Sequence, residues 1–173
     1  MKPYDYQNRK GVKQISWQNF ADLVKSTIPE LAKYNPDLVL GVVRGGLYPA
    51  TYISHILQKE LLPIRLTRRY QDKIIYTTPK WIIKPTEEIR DKKILVVDDI
   101  CDTGETLEMI KKELQEHRVA ELKTYTLYSH LHGKDKVDYC SLVTDELIIN
   151  PWDRELFNGL TFISNPEYPK YEE

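Results

Sequence analysis

Cysteine is nearly missing from this chain. The 173 residues contain two, Cys101 and Cys140, too few for a disulfide framework or a four-cysteine zinc site. Long apolar runs are missing as well. The longest, Leu38 to Val43, contains Gly41 and falls far short of the roughly 20 residues that span a bilayer. Neither sign of charge dominates. Lys and Arg number 25 and Asp and Glu 26, a formal net charge of −1, so no bulk positive field calls for nucleic acid or an anionic membrane. The opening MKPYDYQNRK is polar and does not read as a signal peptide. These lacks set aside secreted, membrane, fibrous and zinc-finger classes. The expectation is a reduced, soluble, cytoplasmic protein with no nucleic-acid or membrane partner. What is present suits one globular domain over residues 1–173, with 41% apolar and 29% charged residues. Residues 1–15 read as a polar arm and 165–173 as a proline-rich, acidic, frayed tail.

Between these ends the periodicity alternates. Ser16 reads as an N-cap, followed by Trp17, Phe20, Ala21, Val24, Ile28, Leu31 and Ala32 at helical steps up to Pro36. Residues 37–43 form a continuous apolar run, the signature of a buried strand. Residues 47–59 read as a helix and 62–66 as a strand. Ile94 to Val97 is a second buried strand, 104–116 a helix, 121–128 a third strand, and 142–149 contains another. Residues 68–90, with charges, aromatics and two prolines, lack a period, and such a stretch is either functional or a hairpin. Strand and helix in alternation predict an α/β domain whose mostly parallel sheet is flanked by helices. Ligands then bind beyond the carboxyl ends of the strands.

Two strand ends are chemically unusual. The first reads Asp98-Asp99-Ile100-Cys101-Asp102-Thr103-Gly104-Glu105-Thr106. A helix start offers free N–H groups and a positive dipole end, which suit a phosphate. Gly104 lets the backbone approach it, and Thr103 and Thr106 add hydroxyls. The carboxylates suit sugar hydroxyls or a hydrated magnesium ion. The plain alternative is that Asp102 or Thr103 merely caps the helix, but packing does not require three acids within five positions. The second strand end is Arg44-Gly45-Gly46. Its glycines permit a tight turn with bare N–H groups, and arginine offers planar donors for phosphate oxygens. Taken alone it reads as a turn. Cys101 reads as a small passive residue, because nothing near it in sequence lowers a thiol pKa.

The first string closely resembles the 5-phosphoribosyl-1-diphosphate (PRPP) signature of the type I phosphoribosyltransferases. With it, Arg44-Gly45-Gly46 resembles that family's pyrophosphate loop. Ser16-Trp17 and Asn150-Pro151-Trp152-Asp153 resemble the small microbial xanthine/guanine/hypoxanthine members. The residues Ile94-Leu95-Val96-Val97-Asp98-Asp99 also resemble the opening strand of a response-regulator receiver domain. Here, however, that strand begins at residue 94, with too little chain behind it. The phosphoribosyltransferase resemblance implies a Rossmann-like fold with a small hood over 68–90. It implies an Mg2+-dependent enzyme that moves a phosphoribosyl group from PRPP to a nucleobase. It places the ribose hydroxyls on Asp98 and Asp99, magnesium near Asp99, the 5′-phosphate on residues 102–106, and the base proton on Asp102. It also implies a non-proline cis peptide at Val43–Arg44, a hood that closes over the reacting centre, and a homodimer.

The base pocket departs from the pattern. By this resemblance the base meets His130, Leu147, Ile148 and Trp152, but His130 stands where the family has a lysine and Leu147 where it has a stacking tryptophan. His130 still offers a hydrogen bond and Leu147 an apolar cover. Lys134 or Lys136 could replace the missing cation, or the base could differ from the usual 6-oxopurine; both stay open. A PRPP- or nucleotide-sensing regulator on the same fold is the competing reading. His130-x-His132 offers two imidazoles without a third metal ligand, so solvated loop histidines are expected there.

Overall fold

The computed structural model describes residues 11–70 and 73–168. The expectations for residues 1–10 and for the last five tail residues lie outside them. In chain order the elements are β1 (Val12–Gln14), α1 (Trp17–Tyr34), β2 (Leu38–Val42), α2 (Leu47–Leu57), β3 (Glu60–Thr67), β4 (Arg69–Tyr70), β5 (Lys73–Ile74) and β6 (Lys80–Ile83). Then come β7 (Lys93–Cys101), α3 (Glu105–Glu116), β8 (Glu121–Ser129), β9 (Tyr139–Val143), β10 (Leu147–Ile149), β11 (Glu155–Phe157) and β12 (Phe162–Ser164).

The chain forms two compact units, one of residues Leu23–Thr144 and one from the two chain ends. The larger unit is built on a six-stranded sheet in the order β6-β3-β2-β7-β8-β9. Every pairing in it is parallel except β3 with β6. Strands β2 and β7 are central, and their run of Val, Leu and Ile is buried on both faces, as expected for strands covered by crossover helices. Leu107, Ile110 and Leu114 of α3 pack on the face bearing Leu38, Leu40, Val42, Ile94 and Val96. Helix α2 lies against the opposite face, where a Cβ at Gly41 would come within 2.9 Å of the Ala50 methyl. Helix α1 is tied to the same sheet by the Tyr34 hydroxyl donating to the Ile94 carbonyl at 3.0 Å and by a 2.8 Å Thr27–Ser141 hydroxyl pair.

In the smaller unit, β1 pairs in parallel with β10 and β11 in antiparallel with β12. Ser16 caps α1, its Oγ accepting the Asn19 N–H at 3.0 Å while Asn19 Oδ1 accepts the Ser16 N–H at 3.3 Å. Asn35, at φ +50, and Pro36 end the helix. Asn165, the first tail residue, donates from Nδ2 to the Asp153 carbonyl at 2.8 Å.

Three boundaries differ from expectation. Strand β7 does not stop at Val97 but continues through the acids to Cys101, because its backbone goes on pairing with Thr126, Tyr128 and Ser129. Residues 142–149 hold parts of two strands in different sheets, β9 and β10, separated by the polar Thr144-Asp145-Glu146. Residues 68–90 include a sheet strand, β6, whose Trp81 packs on the main core, so Trp81 is a core contact. Tyr76 instead lies under the Lys80 ammonium, 4.3 Å from its ring centre.

Candidate active site

The chain runs from β2 through α2 to β3 on one side, then crosses back to β7 on the other side of β2. The segments leaving β2 and β7 therefore both lie at the strand-order reversal, which is where open α/β sheets bind ligands. In this chain those segments are Arg44-Gly45-Gly46 and the acid-rich string.

The register pairs Gly41 with Val97, so the acids follow one residue beyond the shared ladder. Asp98 is 8% exposed and Asp99 is half-buried. Each carboxylate accepts a backbone N–H at 2.9 Å, Asp98 Oδ1 from Asp99 and Asp99 Oδ1 from Ile100. Burial, and then the neighbouring Asp99 charge, hold the Asp98 carboxyl well above the usual carboxylate range. Burial also raises Asp99, against the hydrogen bonds from Asp98 and Ile100 that lower it. A divalent cation relieves such a penalty. The donor set therefore fits a hard ion, for which Asp99 would be the protein ligand. Among the described residues no three acidic, His or Cys side chains cluster as a metal cage. Bound there, a magnesium ion would draw the rest of its shell from outside the protein.

The peptide bond Val43–Arg44 is cis, as the resemblance implied. Arg44 is exposed and Gly46 buried. A Cβ on Gly45 would fall inside contact with the Asp99 carboxylate, 2.5 Å from its Cγ. A Cβ on Gly46 would lie 2.6 Å from the Val42 carbonyl and 2.8 Å from Asp98 Cα. The glycines thus let the first loop rest directly on the acids of the second.

Beyond Cys101, Asp102 and Thr103 turn the chain into α3. The N-cap is Gly104, at φ +82, and it makes no side-chain cap hydrogen bond. The capping alternative for Asp102 and Thr103 is therefore not what the structure contains; Thr103 Oγ1 accepts only a long, 3.5 Å bond from the Glu105 N–H. The helix start with Thr106 in its first turn retains the character of an anion cradle. Cys101 is buried, and burial, with the nearby Asp98 charge, pushes its thiol up to about 11. That supports the passive reading.

Sequence reasoning overlooked Arg68. Its guanidinium, 8% exposed, pairs with Glu105 of the acid-rich string. The available signal was a cation at the end of a strand, which the irregular stretch after it obscured. His130 corrects the expectation of solvated histidines: it is 4% exposed, with Nδ1 2.7 Å from the Thr144 carbonyl. His132 is the exposed member, and its Nε2 stands 3.0 Å from Asp102 Oδ1. Lys136 is paired with Glu108 at 2.8 Å. Leu147 and Ile148 belong to the smaller unit, where they pair with Val12 and Lys13 and are 6% and 7% exposed. Trp152 lies in that unit too, with Trp17 and Phe20 ring centres at 5.9 and 5.5 Å.

The sequence profile of the phosphoribosyl transferase domain matches residues 11–157. The xanthine-guanine phosphoribosyltransferase of Nitratidesulfovibrio vulgaris is 28% identical over 156 residues, 88% of this chain and 91% of its own length. That of Cereibacter sphaeroides is 32% identical over 152 residues, 82% of this chain and 87% of the relative. A crystal structure of a purine phosphoribosyltransferase from Pyrococcus horikoshii superposes with a TM-score of 0.75 at 27% identity, covering 95% of this chain and 99% of the other. The match takes in every strand and helix that carries the two loops, and the chain belongs to the phosphoribosyl transferase domain family.

Proposed function

We propose that this protein transfers the 5-phosphoribosyl group of PRPP to a ring nitrogen of a 6-oxopurine and releases pyrophosphate, in nucleotide salvage. The observation that carries the reading is the contact of the Gly45 backbone with the Asp99 carboxylate at the strand-order reversal. A glycine turn suited to a diphosphate then lies beside an acid pair suited to ribose hydroxyls, which supports a donor with phosphates at both ends of one sugar. The xanthine-guanine enzymes among the relatives support the choice of base.

In this reading Arg44, Gly45 and Gly46 hold the diphosphate. Asp98 and Asp99 accept hydrogen bonds from the ribose 2′- and 3′-hydroxyls. Ile100 and Cys101 lead into residues Asp102 to Thr106, which hold the 5′-phosphate at the start of α3. Magnesium, held by Asp99 and substrate oxygens, would neutralise charge on the diphosphate. As the C1′–O bond breaks, positive charge develops at C1′. The carboxylates stabilise that charge electrostatically, and the hood over 68–90 excludes water. Asp102 takes the proton from the attacking nitrogen. His130 meets the base. A single functional domain, a homodimer and a cytoplasmic setting accompany the reading.

The test is pyrophosphate release with magnesium and PRPP against xanthine, guanine, hypoxanthine, adenine, uracil and cytosine, with a no-base control. Release with a 6-oxopurine is expected. Release with another base alone would refute the acceptor, and release with none would refute the transfer.

A further inference from the structure

Of the His-x-His string the reading above uses only His130, yet His132 lies against the group to which that reading gives the proton. Strand β8 lies beside β7, and the turn that leaves it is fastened to the backbone just before Asp102. The His130 N–H donates to the Cys101 carbonyl at 3.0 Å. Ser129 Oγ donates to the same carbonyl at 3.3 Å, and the Cys101 thiol donates to the Gly133 carbonyl at 3.4 Å. The Gly133 N–H closes the turn onto the His130 carbonyl at 2.9 Å. Because a carbonyl only accepts, His130 carries its proton on Nδ1 and is anchored to Thr144. The His132 ring stacks on this fixed imidazole, with centroids 6.1 Å apart and planes 11° apart. Its Nε2 then stands 3.0 Å from Asp102 Oδ1.

We propose that His132 is a positioning residue for base transfer: its Nε2–H holds the Asp102 carboxylate in the orientation that receives the proton of the incoming base. The inference rests on the reading that Asp102 takes that proton. In the step, the nitrogen lone pair forms the bond to C1′, and the C1′–O pair leaves on pyrophosphate. The N–H pair stays on the ring, and the proton goes to the Asp102 carboxylate. A carboxylate on a short turn rotates about two side-chain bonds. A donor on a turn fastened to the same backbone removes that freedom before substrate arrives. The arrangement inverts the familiar one in which a carboxylate orients a histidine. Two imidazoles without a third ligand make a poor metal site; one buried and anchored, supporting a second aimed at a carboxylate, make a good clamp.

The experiment compares wild type, His132→Ala, His132→Gln, Asp102→Asn and the His132→Ala/Asp102→Asn double variant, with the base that the release panel identifies. It reads the single-turnover rate, the affinity for PRPP by calorimetry, and the thermal midpoint. His132→Ala should slow the single turnover at least ten-fold while PRPP affinity stays within two-fold. His132→Gln, which keeps an N–H donor of similar reach, should recover most of the loss. In the Asp102→Asn background His132→Ala should change the rate by less than two-fold, because the two side chains act as one unit. A His132→Ala rate within two-fold of wild type, or additive losses in the double variant, overturns the clamp and leaves the transferase reading standing. A wild type that releases no pyrophosphate with any base of the panel removes the transferase reading and the clamp with it. Loss of PRPP affinity or of the thermal midpoint in His132→Ala assigns the residue to folding and also overturns the proposal.

Discussion

Adding one methyl at Gly45 and one at Gly46 should damage different properties. At Gly45 the new Cβ would sit 2.5 Å from Asp99 Cγ, whereas carbon atoms rest at about 3.5–4.0 Å. The acid or the turn must therefore yield by about 1 Å. The obstacle is the end of a side chain, which moves more easily than backbone, so the folding cost should stay near 1 kcal/mol, or about 2–4 °C for a chain of this size. The displaced group is the one assigned to ribose and magnesium, and about 1 Å of misplacement at a reacting centre costs on the order of 10²-fold in rate. At Gly46 the Cβ would meet Val42 O at 2.6 Å and Asp98 Cα and Val97 O at 2.8 Å. These are backbone atoms of the two central strands, and they have no rotamer to change. Gly46→Ala should therefore cost about 3 kcal/mol, roughly 6–12 °C. Thermal melts by circular dichroism, PRPP calorimetry with magnesium, and pyrophosphate release separate the two. If Gly45→Ala keeps affinity and rate within two-fold, the contact between the two loops is not what the site depends on.

Asp98→Asn should stabilise the ligand-free protein near neutral pH by about 1–3 kcal/mol, the cost of an imperfectly satisfied buried polar group, and abolish PRPP binding. The wild-type carboxyl is held up in the fold, so its contribution is fully present below the unfolded carboxylate value and is lost as pH rises through the raised folded value. The gain in thermal midpoint should accordingly be larger at pH 8 than at pH 4.5, and a pH-independent gain would contradict the burial argument. Asp102→Ala should lower the rate at least a hundred-fold and leave PRPP affinity within a few-fold; equal losses in both would remove the proton-transfer role. With its thiol near 11, Cys101 should resist iodoacetamide at pH 7.5 in the folded protein and react after denaturation, as peptide mass spectrometry would report. Cys101→Ser should keep pyrophosphate release within about three-fold.

The central layer was legible because its signals are local. Ser16 and Pro36 bracket α1, and the apolar runs of β2 and β7 are too continuous for exposed strands. The boundaries that moved depend on a partner strand. Nothing in Asp98-Asp99-Ile100 looks like sheet until Tyr128 and Ser129 are beside it. Trp81-Ile82-Ile83 acquires its place only through pairing with β3. Within the candidate site, the acids and glycines that meet there could be picked out as residue types at short spacing. The Arg68–Glu105 and His132–Asp102 pairs span 37 and 30 positions and form only because β3, β7 and β8 deliver their ends to one edge of the same sheet. The charge of an acid can be read in a string; the neighbour that orients it belongs to the fold.

The order of the strands also governs how the site comes into being. Its pieces lie at residues 44–46, 98–106 and 130–133, and they meet only after β2, β7 and β8 have joined edge to edge. No hairpin or single helix-strand unit holds enough of them to bind weakly on its own. On the proposed function, affinity for the sugar phosphate would be an all-or-none report on the assembled centre of the sheet. A saturating ligand, at 100 times its dissociation constant, adds about 2.7 kcal/mol to the whole cooperative unit rather than to one loop. On that reading substrate supply would double as protection against unfolding, since a chain that holds its donor keeps its three central strands together.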